Sequence, residues 1–118
     1  MKIGKYFDDK ELACKCCGAV DVNVELINRL DALREFYGKP LHITSGYRCS
    51  KHNAEVGGVN DSAHMHGIAV DVTAGSPEKY ELLGVIFQTK LFNRIGIAKN
   101  FIHLDIDTEK PQRVIWTY

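Results

Sequence analysis

The sequence has no excess of either charge sign and no long apolar run. Lys plus Arg and Asp plus Glu number 15 each in 118 residues, so the formal net charge is zero. Proteins that follow a nucleic-acid backbone usually carry a basic excess, and a membrane span needs roughly 18 consecutive apolar residues. We therefore expect no nucleic-acid partner, no membrane association, and a single domain over residues 1–118.

The amino terminus also lacks the apolar stretch of a signal peptide. The residues after Met1–Lys5 soon become polar, with Asp8, Asp9 and Lys10, where such a peptide would be apolar. This pattern predicts a protein that is cytoplasmic until another route releases it.

The four cysteines lack the repeated C-x-x-C spacing that is a strong zinc signature. Cys14, Cys16 and Cys17 form one cluster, and Cys49 is distant in sequence. Free thiols, a disulfide and a structural metal site all remain open on this pattern.

Hydrophobic periodicity predicts two substantial helices. The first runs from about Asn23, which can cap it, to Tyr37, just before Gly38. The second begins at Ser76-Pro77-Glu78, with serine as the cap and proline in the first turn. We expect this helix to carry its apolar side chains on one side, namely Tyr80, Leu83, Ile86 and Phe87.

Short apolar segments predict five strands, and a polar, glycine-rich stretch over residues 46–67 separates the first two. The stretch is expected to contain a short helix around Lys51–Glu55, and Lys99-Asn100 is expected to turn the third strand back on the fourth. The predicted strands are Leu41–Ser45, Ile68–Val72, Arg94–Ala98, Phe101–Asp105 and Val114–Thr117. Together these elements predict an α+β fold, a small and mostly antiparallel sheet with helices packed on one face.

Three residues of metal-binding type lie around this predicted sheet. His64 ends the polar stretch, Gly67 permits a sharp turn after it, and Asp71 follows on the polar side of a strand. His103 lies in a later alternating strand. Catalytic zinc usually has three protein ligands of these types and an open fourth position. The pattern predicts a zinc site at His64, Asp71 and His103; the alternative is ordinary hydrogen bonding, with Asp71 paired to Arg48.

Asp105 shares one face of its predicted strand with His103. Residues i and i+2 on a strand lie roughly 6 to 7 Å apart, which suits a carboxylate that takes a proton from an attacking water. We therefore assign Asp105 as the general base. The alternative is that Asp105 orients His103 or pairs with a cation.

The segment Ser62-x-His64-x-x-Gly67-x-Ala69-x-Asp71 resembles the S-x-H-x-x-G-x-A-x-D signature of the zinc D-alanyl-D-alanine carboxypeptidase family, the M15 peptidases. Ser45-Gly46-Tyr47-Arg48 and the downstream His103 are similar to the other two motifs of that family. The similarity covers roughly residues 6–107. It includes the Phe7–Cys17 opening, which resembles the short M15 subgroup common in phage lysis proteins and bacterial cell-wall hydrolases.

The resemblance implies a hedgehog/D-Ala-D-Ala peptidase-like fold, zinc as the cofactor, and peptidoglycan stem peptides as the substrate. The bond would be the terminal D-Ala-D-Ala bond or the bond between L-Ala and D-Glu. Arg48 matches the substrate-binding arginine of the family, and Ser62 matches the motif serine, which either hydrogen-bonds near the site or caps its loop. His66 is a further candidate for substrate contact, with a solvent-facing loop histidine as the favoured alternative.

One position departs from the family pattern. Many members have an acid three residues before the last histidine, where this chain has Asn100, which cannot act as a base. Asp105 then replaces that acid, or the chain is an inactive zinc-binding or phage structural module with the same fold. We expect a monomeric cell-wall hydrolase, an endolysin released in phage lysis or an enzyme carried on a virion.

Overall fold

The structure is a computed structural model that describes all residues 1–118. The elements, in chain order, are β1 (Lys2–Ile3), β2 (Phe7–Asp8), α1 (Asp9–Leu12), α2 (Val24–Tyr37), β3 (Ile43–Ser45), α3 (Ser50–Glu55), the 3-10 turn η1 (Ala63–His66), β4 (Ala69–Thr73), α4 (Glu78–Thr89), β5 (Arg94–Ile97), β6 (Phe101–Asp105) and β7 (Val114–Thr117). None of the helices has the length and apolar character that a membrane crossing requires.

Five strands form the main sheet in the order β3-β4-β6-β5-β7, and β1 and β2 form a separate pair. All neighbouring strands are antiparallel except β5 and β7, which are parallel. The predicted α+β fold with a mostly antiparallel sheet is confirmed. The parallel pair arises because the chain leaves β6, bypasses β5, and returns on the far side of β5 as the edge strand β7.

The two faces of the sheet have different chemistry because strand side chains alternate. Val70 and Val72 of β4 and Ile102 and Leu104 of β6 join the hydrophobic core. The core is completed by α2 and α4, which pack against each other on this face. The alternate residues of the same strands, Asp71 among them, face the other side.

Helix α2 begins and ends as its sequence predicts. The Asn23 side chain accepts a hydrogen bond from the Glu25 backbone N–H at 2.8 Å. At the other end Gly38 takes the left-handed conformation, with φ of 75°, which glycine adopts at little cost.

Helix α4 departs from the prediction in two ways. It begins at Glu78, with Pro77 at the cap position and no side-chain capping bond, so Ser76 does not cap it. Its buried residues are Leu82 and Ile86, whereas Tyr80 and Phe87 are exposed. The prediction was right for Ile86, which is buried, and for Leu83, which is partly buried against the core. It was wrong for Tyr80 and Phe87, which lie on the solvent side, and it omitted Leu82, which faces the core with Ile86.

The four cysteines are free, and the thiols of Cys14, Cys17 and Cys49 lie within 4.8 Å of one another although Cys49 is distant in sequence. Cys14 Sγ is 3.6 Å from Cys49 Sγ. Burial on its own raises the pKa of the Cys14 thiol, but hydrogen bonds from the backbone amides of Cys49, Cys17 and Cys16 outweigh burial and lower that pKa to about 6.

Candidate metal centre and active-site cleft

The pairing register of the strands sets out the site in one row across the sheet. Asp71 on β4 lies directly opposite His103 on β6, and the row continues through Gly96 on β5 to Trp116 on β7. Directly opposed residues have Cβ atoms about 4.5 to 5.5 Å apart. The register therefore brings a carboxylate and an imidazole together on the face opposite the core.

His64 reaches this row from the 3-10 turn η1. The Ser62 hydroxyl caps the turn by accepting a hydrogen bond from the His64 backbone N–H at 3.2 Å. Gly67 ends the turn with φ of 70°, and a Cβ there would lie 2.0 Å from the Asp21 carbonyl oxygen. Only glycine fits both the backbone conformation and the space, so the predicted sharp turn after His64 is present.

The three predicted ligands meet at one point. Asp71 Oδ1 lies 3.3 Å from His64 Nε2 and 3.0 Å from His103 Nδ1, and the three ligand atoms all lie within 4.8 Å of one another. Two atoms that are each about 2.0 to 2.1 Å from a tetrahedral zinc ion lie about 3.3 Å apart. The observed spacings therefore match the edges of a zinc coordination tetrahedron.

The hydrogen bonds behind the two imidazoles support the same conclusion. His64 Nδ1 lies 2.8 Å from the Gly46 carbonyl oxygen, which can only accept, so Nδ1 carries a proton and Nε2 is the nitrogen that faces Asp71. His103 Nε2 lies 2.6 Å from Asp105 Oδ2. A carbonyl or carboxylate behind each ligating histidine is the usual arrangement in metal sites. A cation bound by Asp71 and the two rings would replace the hydrogen bonds that join these side chains in its absence.

Contacts within the cluster outweigh the effect of burial on the pKa values of Asp71 and His103. Burial raises the pKa of Asp71, but hydrogen bonds from His103 and His64 outweigh it and hold that pKa well below its usual range. For His103, burial lowers the pKa, and the contacts with Asp105 and Asp71 raise it by more. Asp71 is thus ionised at neutral pH, as a metal ligand must be.

Arg48 is the nearest cation to the three ligands. Its Nη2 donates to Asp71 Oδ2 at 3.2 Å, its Nε to Ser45 Oγ at 3.1 Å, and its Nη1 to Asn53 Oδ1 at 3.3 Å. The ion pair with Asp71 is the alternative considered from the sequence. The three contacts fix the planar guanidinium at the edge of the metal centre, and 14% of the side chain is exposed to solvent.

A cleft of about 550 Å³ opens over these residues. It is lined by Ser62, Arg48 and the three predicted ligands, together with Asp105. His66, although it belongs to the same turn as His64, is exposed and does not line the cleft. Lining residues for which the sequence gave no expectation include Arg94, Phe101, Lys110, Trp116 and Tyr118.

The comparison with known protein families agrees with this geometry. The family model described as Peptidase M15 matches residues 5–105. The chain belongs to the peptidase M15 family. A curated relative of this M15 chain, the zinc D-Ala-D-Ala carboxypeptidase of Streptomyces albus G, is 43% identical over 49 residues. That match covers 41% of this chain and 19% of the relative, so the chain spans less than a fifth of the relative's length. The printed name of the relative describes a zinc carboxypeptidase, and the three clustered side chains of this chain are of the types that bind zinc.

Both carboxylate oxygens of Asp105 are already hydrogen-bonded in this M15 chain. Its Oδ2 contacts His103, and its Oδ1 accepts from Arg94 Nε at 2.7 Å and from the Asp107 backbone N–H at 3.0 Å. Burial raises the pKa of Asp105, but these contacts lower it by more. The geometry favours the second role considered from the sequence, in which Asp105 orients His103, over the role of general base.

Gly96 makes room for Trp116, which lines the M15 cleft together with the aromatic residues Phe101 and Tyr118. A Cβ at this position would lie 2.6 Å from Trp116 Nε1, so the glycine makes room for the indole. The Trp116 and His103 rings have centroids 5.4 Å apart. The signal in the sequence was the alternation of Trp116 in the last strand with Tyr118 just after it, but these residues could be placed in the cleft only by knowing that β7 pairs with β5.

Proposed function

We propose that this chain hydrolyses a peptide bond in peptidoglycan stem peptides, with zinc held by His64, Asp71 and His103. The observation that carries the proposal is the donor set of two imidazoles and one carboxylate, buried at the base of an open cleft with a guanidinium beside it. Three protein ligands of these types leave one coordination position for chemistry.

The protein residues have distinct roles in this proposal. Zinc held by His64, Asp71 and His103 would supply a Lewis acid that can activate a water molecule and polarise the carbonyl of the scissile bond. Asp105 and the Gly46 carbonyl hold the two imidazoles in the required tautomers. Arg48 binds the substrate, because its fork of N–H donors suits a carboxylate or a carbonyl oxygen. Trp116, Tyr118 and Phe101 cover one side of the cleft and limit water access.

Both candidate bonds have a carboxylate on the leaving residue, which Arg48 can bind. In a D-Ala-D-Ala end, the leaving residue carries the free terminal carboxylate. In an L-Ala-D-Glu bond, the D-Glu residue carries its α-carboxylate. A single guanidinium can serve either substrate. The name of the Streptomyces albus G relative supports the carboxypeptidase type, and the endopeptidase type is the second possibility within the same proposal.

Incubation with purified peptidoglycan, followed by mass spectrometry of the released fragments, tests the proposal. We expect new peptide termini that identify the bond, and we expect them to disappear on chelation and in His64→Ala. The matched control is His66→Ala, which removes an exposed histidine from the same turn and should leave turnover unchanged. Intact peptidoglycan of several chemotypes, with zinc present in the protein, would reject the proposal.

One observation favours a zinc-binding or phage structural module without turnover. The two buried carboxylates that line the cleft, Asp71 and Asp105, are both hydrogen-bonded to histidine, and Asn100 lies where many family members have an acid. The peptidoglycan experiment separates this alternative from the enzyme. Release in phage lysis, carriage on a virion and a monomeric state stay predictions.

A further inference from the structure

A second group of potential ligands lies outside the cleft, where the amino-terminal segment meets the start of α3. The thiols of Cys14, Cys17 and Cys49 all lie within 4.8 Å of one another. The peptidase chemistry proposed above uses none of them. Cys14 is buried, whereas Cys17 is exposed and Cys49 is partly exposed.

The spacing of these thiols matches metal coordination more closely than a disulfide. Cys14 Sγ and Cys49 Sγ are 3.6 Å apart, whereas a disulfide bond is about 2.05 Å long. Two sulfur atoms that are each about 2.3 Å from a tetrahedral zinc ion lie about 3.8 Å apart. Cys14 and Cys17 also have the C-x-x-C spacing of many zinc sites, and Gly18 follows them in the left-handed conformation with φ of 77°.

Backbone amides point at the sulfur atoms, as they do where thiolates are held. Cys14 Sγ accepts from the Cys49 N–H at 3.4 Å and also from the amides of Cys16 and Cys17. Cys49 Sγ accepts from the His52 N–H at 3.4 Å, at the beginning of α3. Hydrogen bonds to the charged form favour it, and the thiolate is the form that binds metal.

The fourth cysteine, Cys16, is the candidate for the remaining position of a tetrahedral set. Its sulfur is not one of the three that lie within 4.8 Å of one another, but it is near Cys49: burial and then the Cys49 thiolate raise the pKa of the Cys16 thiol. Four thiolates around one ion are one of the donor sets of structural zinc, and such sites leave no open position for substrate.

We propose that Cys14, Cys16, Cys17 and Cys49 bind one structural zinc ion, separate from the zinc in the cleft. This ion joins the turn after α1 to the segment that carries Arg48. The two segments already touch: the Tyr47 N–H donates to the Leu12 carbonyl at 2.9 Å, and a Cβ on Gly46 would lie 2.7 Å from the same oxygen. The ion therefore fixes the backbone that leads into Arg48 and Gly46.

Zinc content measured by elemental mass spectrometry, on protein purified under reducing conditions, tests this proposal. We expect two zinc ions per wild-type chain, one in His64→Ala, one in Cys17→Ser, and none in the double variant. One ion in the wild type and none in His64→Ala would overturn the proposal. In Cys16→Ser, the zinc affinity of the cysteine site should fall by more than the roughly 10- to 100-fold that loss of an outer contact costs. An unchanged zinc affinity would overturn the assignment of Cys16 as the fourth ligand.

Cobalt substitution gives a readout that does not depend on activity. Because the cleft offers no sulfur ligand, His64→Ala loaded with Co²⁺ should still show a near-ultraviolet thiolate-to-cobalt charge-transfer band. The same protein carrying Cys17→Ser should lose the band. Absence of the band in His64→Ala would overturn the proposal whether or not the chain cleaves peptidoglycan.

Thiol labelling of the His64→Ala protein covers the case in which cysteine variants fail to fold. Iodoacetamide adducts counted by intact mass should be few with zinc and rise to four after chelation. Equal labelling with and without zinc would overturn the proposal. So would two thiols that become reactive only after reduction, since they would identify a disulfide instead.

Discussion

Asp105 contributes to the site through three contacts that occupy both of its oxygens, those with His103, Arg94 and the Asp107 amide. We expect Asp105→Asn to lower zinc affinity about 10- to 100-fold, the usual cost of losing a carboxylate behind a ligating histidine. Competition with a chromophoric chelator measures this affinity. Excess zinc should restore most of the turnover, because the variant keeps all three ligands.

Asp107→Asn is the matched control for that experiment. Asp107 lies two residues further along, and its carboxylate pairs with Lys110 at 3.2 Å rather than with histidine. The Asp107→Asn variant should leave zinc affinity unchanged. If Asp105→Asn instead binds zinc normally and turnover stays about 10²- to 10⁴-fold lower at saturating zinc, Asp105 is the general base after all.

Arg48 uses three nitrogens on three different partners, which lysine cannot reproduce. We expect Arg48→Lys to keep its zinc and to lower kcat/KM at least about tenfold, since a hydrogen bond to a charged group contributes roughly 1.5 to 3 kcal/mol. Steady-state kinetics on a stem-peptide substrate, with zinc content measured in parallel, checks this. Wild-type kinetics in the lysine variant would show that the fork geometry is not used.

At this scale the sequence predicted three side chains that the structure brings together. His64, Asp71 and His103 were predicted from their side-chain types, their spacing and the M15 resemblance, and their ligand atoms lie within 4.8 Å of one another. Arg94 and Trp116 were not found, because their place in the cleft depends on which strand lies beside which. Arg94 lies opposite Asp105 only through the register of β5 and β6.

At the scale of elements, Gly96 connects the sheet to the cleft. We expect Gly96→Ala to displace the Trp116 indole from His103 and to cost about 1 to 3 kcal/mol of stability, since its Cβ would lie 2.6 Å from the ring. Trp116 is the single tryptophan of the chain, so a shift in its fluorescence emission reports the displacement directly.

Gly84→Ala is the comparison for Gly96→Ala, because it makes the same change inside α4 with no atom within 4 Å of the new Cβ. We expect this variant to gain up to about 1 kcal/mol of stability from helix propensity and to leave the Trp116 emission unchanged. Equal effects of the two variants in urea unfolding would contradict the steric account of Gly96.

The elements themselves were largely predictable, for physical reasons that also explain the exceptions. Helix α2 was predicted because its apolar period, its cap Asn23 and its terminal Gly38 all agree. In α4 the apolar residues surround much of the helix, so periodicity alone selected Ile86 but could not select Leu82 over Tyr80 and Phe87. The parallel pairing of β7 depends on tertiary packing, and no local pattern encodes it.

At the scale of the whole molecule, the site joins four separate parts of the chain: the segment after β3, the turn η1, and strands β4 and β6. Their charged groups make stability depend on pH. The depressed pKa values of Asp71 and Asp105 contribute stability that is present above their unfolded value of 3.8 and is lost as pH falls. The depressed pKa of Cys14 acts in the same direction between about 6 and its unfolded value of 9.0.

His103 acts in the opposite direction. Its raised pKa contributes stability to the chelated protein that is fully present below the unfolded value of 6.5 and is lost as pH rises through the folded pKa. We expect chelated wild type to exceed chelated His103→Gln in unfolding free energy, by a margin that shrinks from about pH 5.5 to about pH 8.5. Urea unfolding of both proteins at several pH values measures that margin. Because Cys14 is common to both proteins, its contribution cancels.

A margin that grows with pH would mean that His103 is neutral in the folded chain. Zinc should reverse the trend, since binding requires His103 to lose a proton and therefore strengthens as pH rises.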